Sequence, residues 1–234
     1  MSIAENVAAV RQAMAAAARA AGRDPAEILL VAATKTNDAD RVRQAIAAGV
    51  DICGENRVQE MLEKNAQGAY EGAPLHFIGH LQKNKVKQVV GLVSLIHGAD
   101  SRELLETVSR IAEKRGLTQD VLLEVNIGAE TSKSGFTPGE IPSVLEYASS
   151  LPALRVRGLM AIPPICASPE ENRPFFRRMQ KLFVDNGEKK YDNVSMDFLS
   201  MGMSGDYTEA IACGANLVRV GTAIFGARVY NQEK

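Results

Sequence analysis

The run Ile28-Leu29-Leu30-Val31-Ala32-Ala33-Thr34 carries no charge and ends on Lys35. A lysine amine attacks a carbonyl only when neutral, so with a reference pKa of about 10.4 it needs desolvation or a neighbouring cation. Arg219 interrupts a second apolar run, Leu217-Val218-Arg219-Val220. Two loops offer hydroxyls and backbone N–H groups: Ser200-Met201-Gly202-Met203-Ser204-Gly205-Asp206 and Gly221-Thr222-Ala223-Ile224-Phe225-Gly226. An amine, a guanidinium and two N–H-rich loops suit a carbonyl compound that carries a phosphate. Simpler roles stand beside this one. Lys35 can leave a buried strand to reach water, and Arg219 can cap a sheet through a carboxylate partner.

The elements that carry these residues decide between the readings. A short apolar run with β-branched Ile28 and Val31 predicts a strand buried on both faces. Ahead of it, Ile3, Val7, Val10 and Met14 form an apolar stripe at helical spacing and predict a helix over 2–21, stopped by Gly22. From residue 28 onward a unit recurs: an apolar run, a polar loop, then a helix or turn that often closes on glycine. The runs are 28–34, 51–53, 75–78, 93–96, 121–126, 156–162, 196–199 and 217–220. Helix starts are expected at Asn37, in the capping box Asp100-Ser101-Arg102-Glu103, at Thr137-Pro138-Gly139-Glu140, and at Ser168-Pro169-Glu170-Glu171. Such alternation calls for a parallel sheet with right-handed crossovers. Eight units in about 200–250 residues is the (β/α)8, TIM-like barrel count. An open, doubly wound sheet is the runner-up. No linker or shift in composition divides the chain, so residues 1–234 are expected to form a single α/β domain with an extra N-terminal helix.

The composition narrows the function. Of 234 residues, 46% are hydrophobic, and the formal net charge is −1. No global field draws nucleic acid or an anionic membrane. Tryptophan is absent, which leaves little for stacking single strands. No apolar run approaches the ~20 residues of a membrane span, and the N-terminus does not read as a signal peptide. Cys53, Cys166 and Cys213 are odd in number and far apart, which fits free thiols in a reducing cytoplasm. His76 and His80 are four apart, but the Phe77-Ile78-Gly79 between them reads as strand and turn. No metal site is expected there.

Strand parity places the chemistry. Leu29, Val31, Ala33 and Lys35 share one face of the first strand, and small Ala33 leaves room beneath a ligand on Lys35. On the eighth strand Val218 and Val220 suit the helix layer, which turns Arg219 inward. First and eighth strands are neighbours in a closed barrel, so Lys35 and Arg219 face one cavity. The guanidinium would help depress the lysine pKa. Loops after strands seven and eight are where many barrels seat a phosphate. Pyridoxal 5'-phosphate, an aldehyde bearing a phosphate, fits the set.

Several stretches carry a resemblance to a known family. They are Val31-Ala32-Ala33-Thr34-Lys35, Gly54-Glu55-Asn56-Arg57-Val58-Gln59-Glu60 and Phe77-Ile78-Gly79-His80-Leu81-Gln82-Lys83-Asn84-Lys85. Further along come Val125-Asn126 with Glu130, Lys133 and Gly135, then Gly158-Leu159-Met160, Leu199 to Ser204, and Arg219 to Gly226. They span nearly the whole chain in order. The chain resembles the pyridoxal phosphate homeostasis protein family, whose barrel is similar to the N-terminal domain of alanine racemase. The resemblance implies that Lys35 holds pyridoxal phosphate as an internal aldimine. It implies that Ser204, Gly221 and Thr222 bind the phosphate and that Arg219 faces the pyridine nitrogen.

An acidic residue at that nitrogen would keep it protonated and make the ring a strong electron sink. A permanently charged arginine leaves the nitrogen unprotonated and weakens the sink. Racemases of similar fold add a tyrosine base from a second domain of the partner subunit. This chain ends at 234, so that domain and its base are expected to be missing. The reading is therefore a cytoplasmic cofactor carrier, monomeric, with little or no turnover, serving apo pyridoxal phosphate-dependent enzymes. A pyridoxal phosphate-dependent amino-acid racemase is the alternative, and a Schiff-base aldolase acting on a sugar phosphate is a third. Asn56 and His80 close strands two and three at the same end and either sit over the ring or cap loops. Glu124 and Asn126 share a parity, so Asn126 either lines the mouth or serves a core hydrogen bond. Lys83, Lys85 and Lys87 form a basic cluster that is either a solvated face or an anion surface. Lys133 either approaches the ring hydroxyl or pairs with Glu130.

Overall fold

The architecture was obtained as a computed structural model, which describes residues 1–130, 133–188 and 191–227. Helix α1 (Ile3–Ala20) opens on a capping box in which Ser2 and Glu5 satisfy each other's backbone N–H groups. Its expected stripe of Ile3, Val7, Val10 and Met14 is buried. The units then follow as β1 (Leu29–Ala33), α2 (Ala39–Ala47), β2 (Ile52–Glu55), α3 (Val58–Ala66), β3 (Leu75–Phe77) and α4 (Val86–Val89). Next come β4 (Leu95–Ala99), α5 (Arg102–Lys114), β5 (Gln119–Glu124), α6 (Ile141–Ser149), β6 (Leu154–Met160) and α7 (Arg173–Gly187). The chain closes with β7 (Val194–Ser200), α8 (Tyr207–Ala212), β8 (Leu217–Val220) and α9 (Thr222–Phe225).

The eight strands are parallel and form a closed barrel in sequence order. β1 pairs with both β2 and β8, and Val31 registers with Arg219 across the closing seam. Closure removes every sheet edge, and the open-sheet alternative is set aside. Strand residues of one parity fill the barrel with a plug of Val31, Ile52, Leu95, Leu122, Met160 and Leu217. The other parity faces the helices in a larger core that includes Leu30, Ala32, Cys53, Phe77, Ile96, Val218 and Val220. α1 packs against α2, α8 and α9, the helices flanking the seam, and Asn6 Nδ2 donates to the Ile224 carbonyl at 2.8 Å. No helix among the described residues is long and apolar enough to cross a membrane.

Local details differ from expectation where a side chain is needed elsewhere. Asp38, not Asn37, caps α2, accepting from the Arg41 amide at 2.8 Å. Asn37 instead donates to the Lys35 carbonyl at 3.0 Å and accepts from Arg41 Nε at 2.9 Å. Asp100 does not cap α5, because its carboxylate pairs with His80 Nδ1 at 2.8 Å. The Thr137–Glu140 segment forms a turn ahead of α6, with the Thr137 amide and hydroxyl both donating to Glu140. Asn126 does not line the mouth. Its amide clamps the loop after β5, donating to the Glu130 and Lys133 carbonyls and accepting from the Glu130 amide.

Candidate functional site

Lys35 leaves β1 from a firmly anchored base. Thr34 is fully buried, and its hydroxyl donates to Glu55 Oε1 at 2.6 Å. The Lys64 ammonium donates at 2.7 Å to the Thr34 carbonyl, to Glu55 Oε1 and to Glu60 Oε1. Tyr70 adds a hydrogen bond to Glu55, and the Thr36 amide donates to Glu60 Oε1. Burial pushes the Glu55 carboxyl up, while Lys64 and Thr34 pull it back. Thr36 has φ +63°, a left-handed conformation rare for a β-branched residue. The turn at Thr36 and the Asn37 clamp together fix the path of the chain on the C-terminal side of Lys35. Cys53, on β2, is pushed up to about 12 by burial, which leaves an inert thiol.

Lys35, Asn56, His80, Ser204, Arg219, Gly221 and Thr222 meet in one cavity of about 420 Å³ at the C-terminal mouth of the barrel, which Asn126, Lys133 and the cluster of Lys83, Lys85 and Lys87 do not line. Lys35, Arg219, Gly221 and Thr222 come from the β1 and β8 side, Asn56 and His80 from the ends of β2 and β3, and Ser204 from the loop after β7. Asn56 Oδ1 is buried with no hydrogen-bond partner among the described residues. Gly79 is required beside it, since a Cβ there would lie 2.4 Å from the Asn56 carbonyl oxygen. Ser204 Oγ accepts from the Gly221 amide at 3.0 Å and the Ala223 amide at 3.4 Å, which draws the two N–H-rich loops together. Asp206 holds the first of these loops through the Met203 amide and through Asn172.

Arg219 is 4% exposed and lines the cavity. Its guanidinium donates to Ser200 Oγ and, at 3.0 Å, to the Ala161 carbonyl. Burial lowers it to about 10, with Glu124 and Asp206 acting against that, so it stays charged at neutral pH. Its partners are neutral oxygens, not the carboxylate a capping role would need. One residue escaped the sequence reading. Glu124, on β5, lines the cavity from the side opposite β1, four strands away around the barrel. Burial, and then Asp100, raise its carboxyl to about 7, against the pull of Arg219, His80 and Lys133. Its shared parity with Asn126 was the available signal; the strand ends at Glu124, so the mouth falls two residues earlier. Lys133 pairs with Glu130 and donates to the Pro163 carbonyl. His76 and His80 diverge, the first bonding His97 inside the barrel and the second Asp100 at the rim.

The fold and the site define a class: a parallel (β/α)8 barrel with a lysine and an arginine lining one cavity at its C-terminal mouth. Residues 3–229 match the alanine racemase N-terminal domain family. A pyridoxal phosphate homeostasis protein of Pseudomonas aeruginosa is 44% identical over 232 residues, covering 98% of this chain and 97% of that protein. One from Aquifex aeolicus is 41% identical over 230 residues, covering 98% and 100%. The structure of PipY from Synechococcus elongatus with pyridoxal phosphate bound superposes with a TM-score of 0.82 at 32% identity, covering 96% and 100%. This chain belongs to the pyridoxal phosphate homeostasis protein family. The names of these relatives describe upkeep of a cofactor rather than a reaction.

Proposed function

We propose that this chain, acting over residues 1–234 as one domain, binds pyridoxal 5'-phosphate at Lys35 and serves its intracellular homeostasis with little turnover of its own. The observation that carries this is the convergence of Lys35, Arg219 and the Ser204–Gly221–Thr222 seat in one cavity. The chemistry of the lining supports the fit: an amine, a charged guanidinium and the hydroxyl and amide donors of two loops border one cavity. When bound, the cofactor supplies an aldehyde that condenses with an amine and a ring that withdraws electrons.

The protein's own residues divide the work. Lys35 offers the amine. The Ser204 and Thr222 hydroxyls and the Thr222 amide receive the phosphate, and Gly221, whose amide donates to Ser204 Oγ, holds Ser204 in place for it; the Thr222 amide opens a helical turn and has no acceptor within it. Arg219, charged at neutral pH, faces the ring nitrogen and keeps it unprotonated. Asn56 and His80 bound the ring from β2 and β3. Low turnover follows from Arg219, which weakens the ring as an electron sink. We further propose that the protein works as a monomer in the cytoplasm and passes cofactor to apo-enzymes; its three free cysteines support a reducing compartment.

The purified protein incubated with pyridoxal phosphate should show a near-visible absorbance band. Borohydride should discharge that band and leave the label on Lys35. A colourless protein that cannot be reconstituted overturns the proposal. In deuterated solvent with each amino acid, the loaded protein should exchange α-protons slowly; rapid exchange with turnover would point to a racemase instead. Transfer to an apo-enzyme, measured in the presence of a trap for free cofactor, tests the carrier role.

A further inference from the structure

Arg219 is tied to the far side of the barrel by a hydrogen-bonded chain of buried side chains. The guanidinium donates to Ser200 Oγ on β7. Ser200 Oγ lies 3.0 Å from His97 Nδ1 on β4. His97 Nε2 lies 2.9 Å from His76 Nδ1 on β3, with the rings tilted by 55°. Ser200 and His97 are fully buried and His76 is 6% exposed.

The direction of every bond follows from one donor-only group. Arginine has five N–H donors and no acceptor. Ser200 Oγ therefore accepts from Arg219, and its single hydrogen is free to donate to His97 Nδ1. His97 Nδ1 must then be an acceptor, so its proton sits on Nε2 and is donated to His76 Nδ1. His76 in turn carries its proton on Nε2. The reverse order would leave the buried Ser200 hydroxyl hydrogen without an acceptor among the described residues, which is costly.

We propose that Ser200, His97 and His76 are positioning residues that orient the Arg219 guanidinium toward the cofactor ring, with both imidazoles held as neutral Nε2–H tautomers. This rests on the reading that Arg219 meets the ring of bound pyridoxal phosphate. Ser200 and the Ala161 carbonyl take two of the five donors and fix the plane of the group, leaving the others for the ligand. Neutral imidazoles are essential to this. A cationic His97 would donate to Ser200 from Nδ1, reverse the hydroxyl and repel Arg219. Burial disfavours that state: His76 is lowered to about 4, with Asp120 opposing, and His97 is lowered well below its ordinary value by burial, then by His76 and Arg219. Glu124 and Asp206 are the carboxylates that act on Arg219 itself.

The first test needs no cofactor. Nitrogen-15 NMR of the full-length unliganded protein should show His76 and His97 as neutral Nε2–H tautomers from pH 5.5 to 8. An Nδ1–H tautomer on His97, or protonation of either ring near pH 6.5, overturns the inference whatever the ligand. The second test uses pyridoxal phosphate. Ser200→Ala should weaken its binding about tenfold and shift its near-visible band, while Ser200→Thr, which keeps the hydroxyl, should restore both. His97→Gln, which can accept from Ser200 and donate to His76, should retain more affinity than His97→Leu. An unchanged band and affinity in Ser200→Ala overturns the positioning role. If the wild type shows the expected tautomers but binds no pyridoxal phosphate, the proposed function fails and the positioning role fails with it, while the tautomer assignment stands.

Discussion

Lys64 Nζ lies 2.7 Å from Glu55 Oε1 in a fully buried contact directly beneath the strand end that presents Lys35. Lysine is seldom buried, and here it is matched with the Thr34 carbonyl and two carboxylates. Removing one partner strands the other. Lys64→Ala should destabilise the protein by about 3–5 kcal/mol, read from urea unfolding midpoints, because Glu55 is left charged in the interior. The double variant Lys64→Met/Glu55→Gln should recover most of the loss. Equal losses in both would show that packing, not charge, dominates at this site.

Glu124 makes stability depend on pH. Its carboxyl is raised from 4.5 to about 7, chiefly by burial and then by Asp100, so the folded state favours the proton. A raised folded value gives stability that is complete below about 4.5 and is lost as pH climbs through about 7. Glu124→Gln, neutral at all pH, should therefore stabilise the unliganded protein by about 2–3 kcal/mol at pH 8 and hardly at all at pH 4. Unfolding measured at both pH values checks the sign.

Thr36 holds a strained backbone. Its φ of +63° suits asparagine better than threonine. The Thr36→Asn variant keeps the amide that donates to Glu60 and should gain about 1 kcal/mol, raising Tm by about 2–4 °C. A drop in Tm would mean that the threonine side chain makes up for its own backbone.

Ser204 joins the two loops of the phosphate seat. Ser204→Ala removes an acceptor from the Gly221 and Ala223 amides and a hydroxyl from the ligand. Affinity for pyridoxal phosphate should fall about tenfold, as for the loss of one hydrogen bond to a charged group. Lys35→Ala should instead abolish borohydride labelling while the loops retain part of the cofactor. Equilibrium dialysis separates the two effects.

Much of this site was legible because its residues sit at the ends of apolar runs. Alternation along β1 and β8 turned Lys35 and Arg219 to the same side, and registry of Val31 with Arg219 bears that out. Glu124 was harder to read. Parity pointed only to Asn126, and the strand's end at Glu124, with Asn126 clamping the following loop, moved the lining position to Glu124. Asn37 and Asp100 were misread as caps for a similar reason: a polar side chain at a helix start has several partners within reach, and sequence shows only the local one.

The sequence by itself determined the eight-unit alternation, the inward lysine and arginine, the paired small-residue loops and the family. These are properties of short windows, where periodicity and turn chemistry act over a few residues. Only the tertiary structure decided how Lys35 and Arg219 are supported. Lys64 meets Thr34 across 30 residues, His76 meets His97 across 21, and His97 meets Ser200 across 103. No pattern along the chain encodes such contacts. They exist because barrel closure brings side chains of distant strands into one dry interior, where each buried polar group must find a partner.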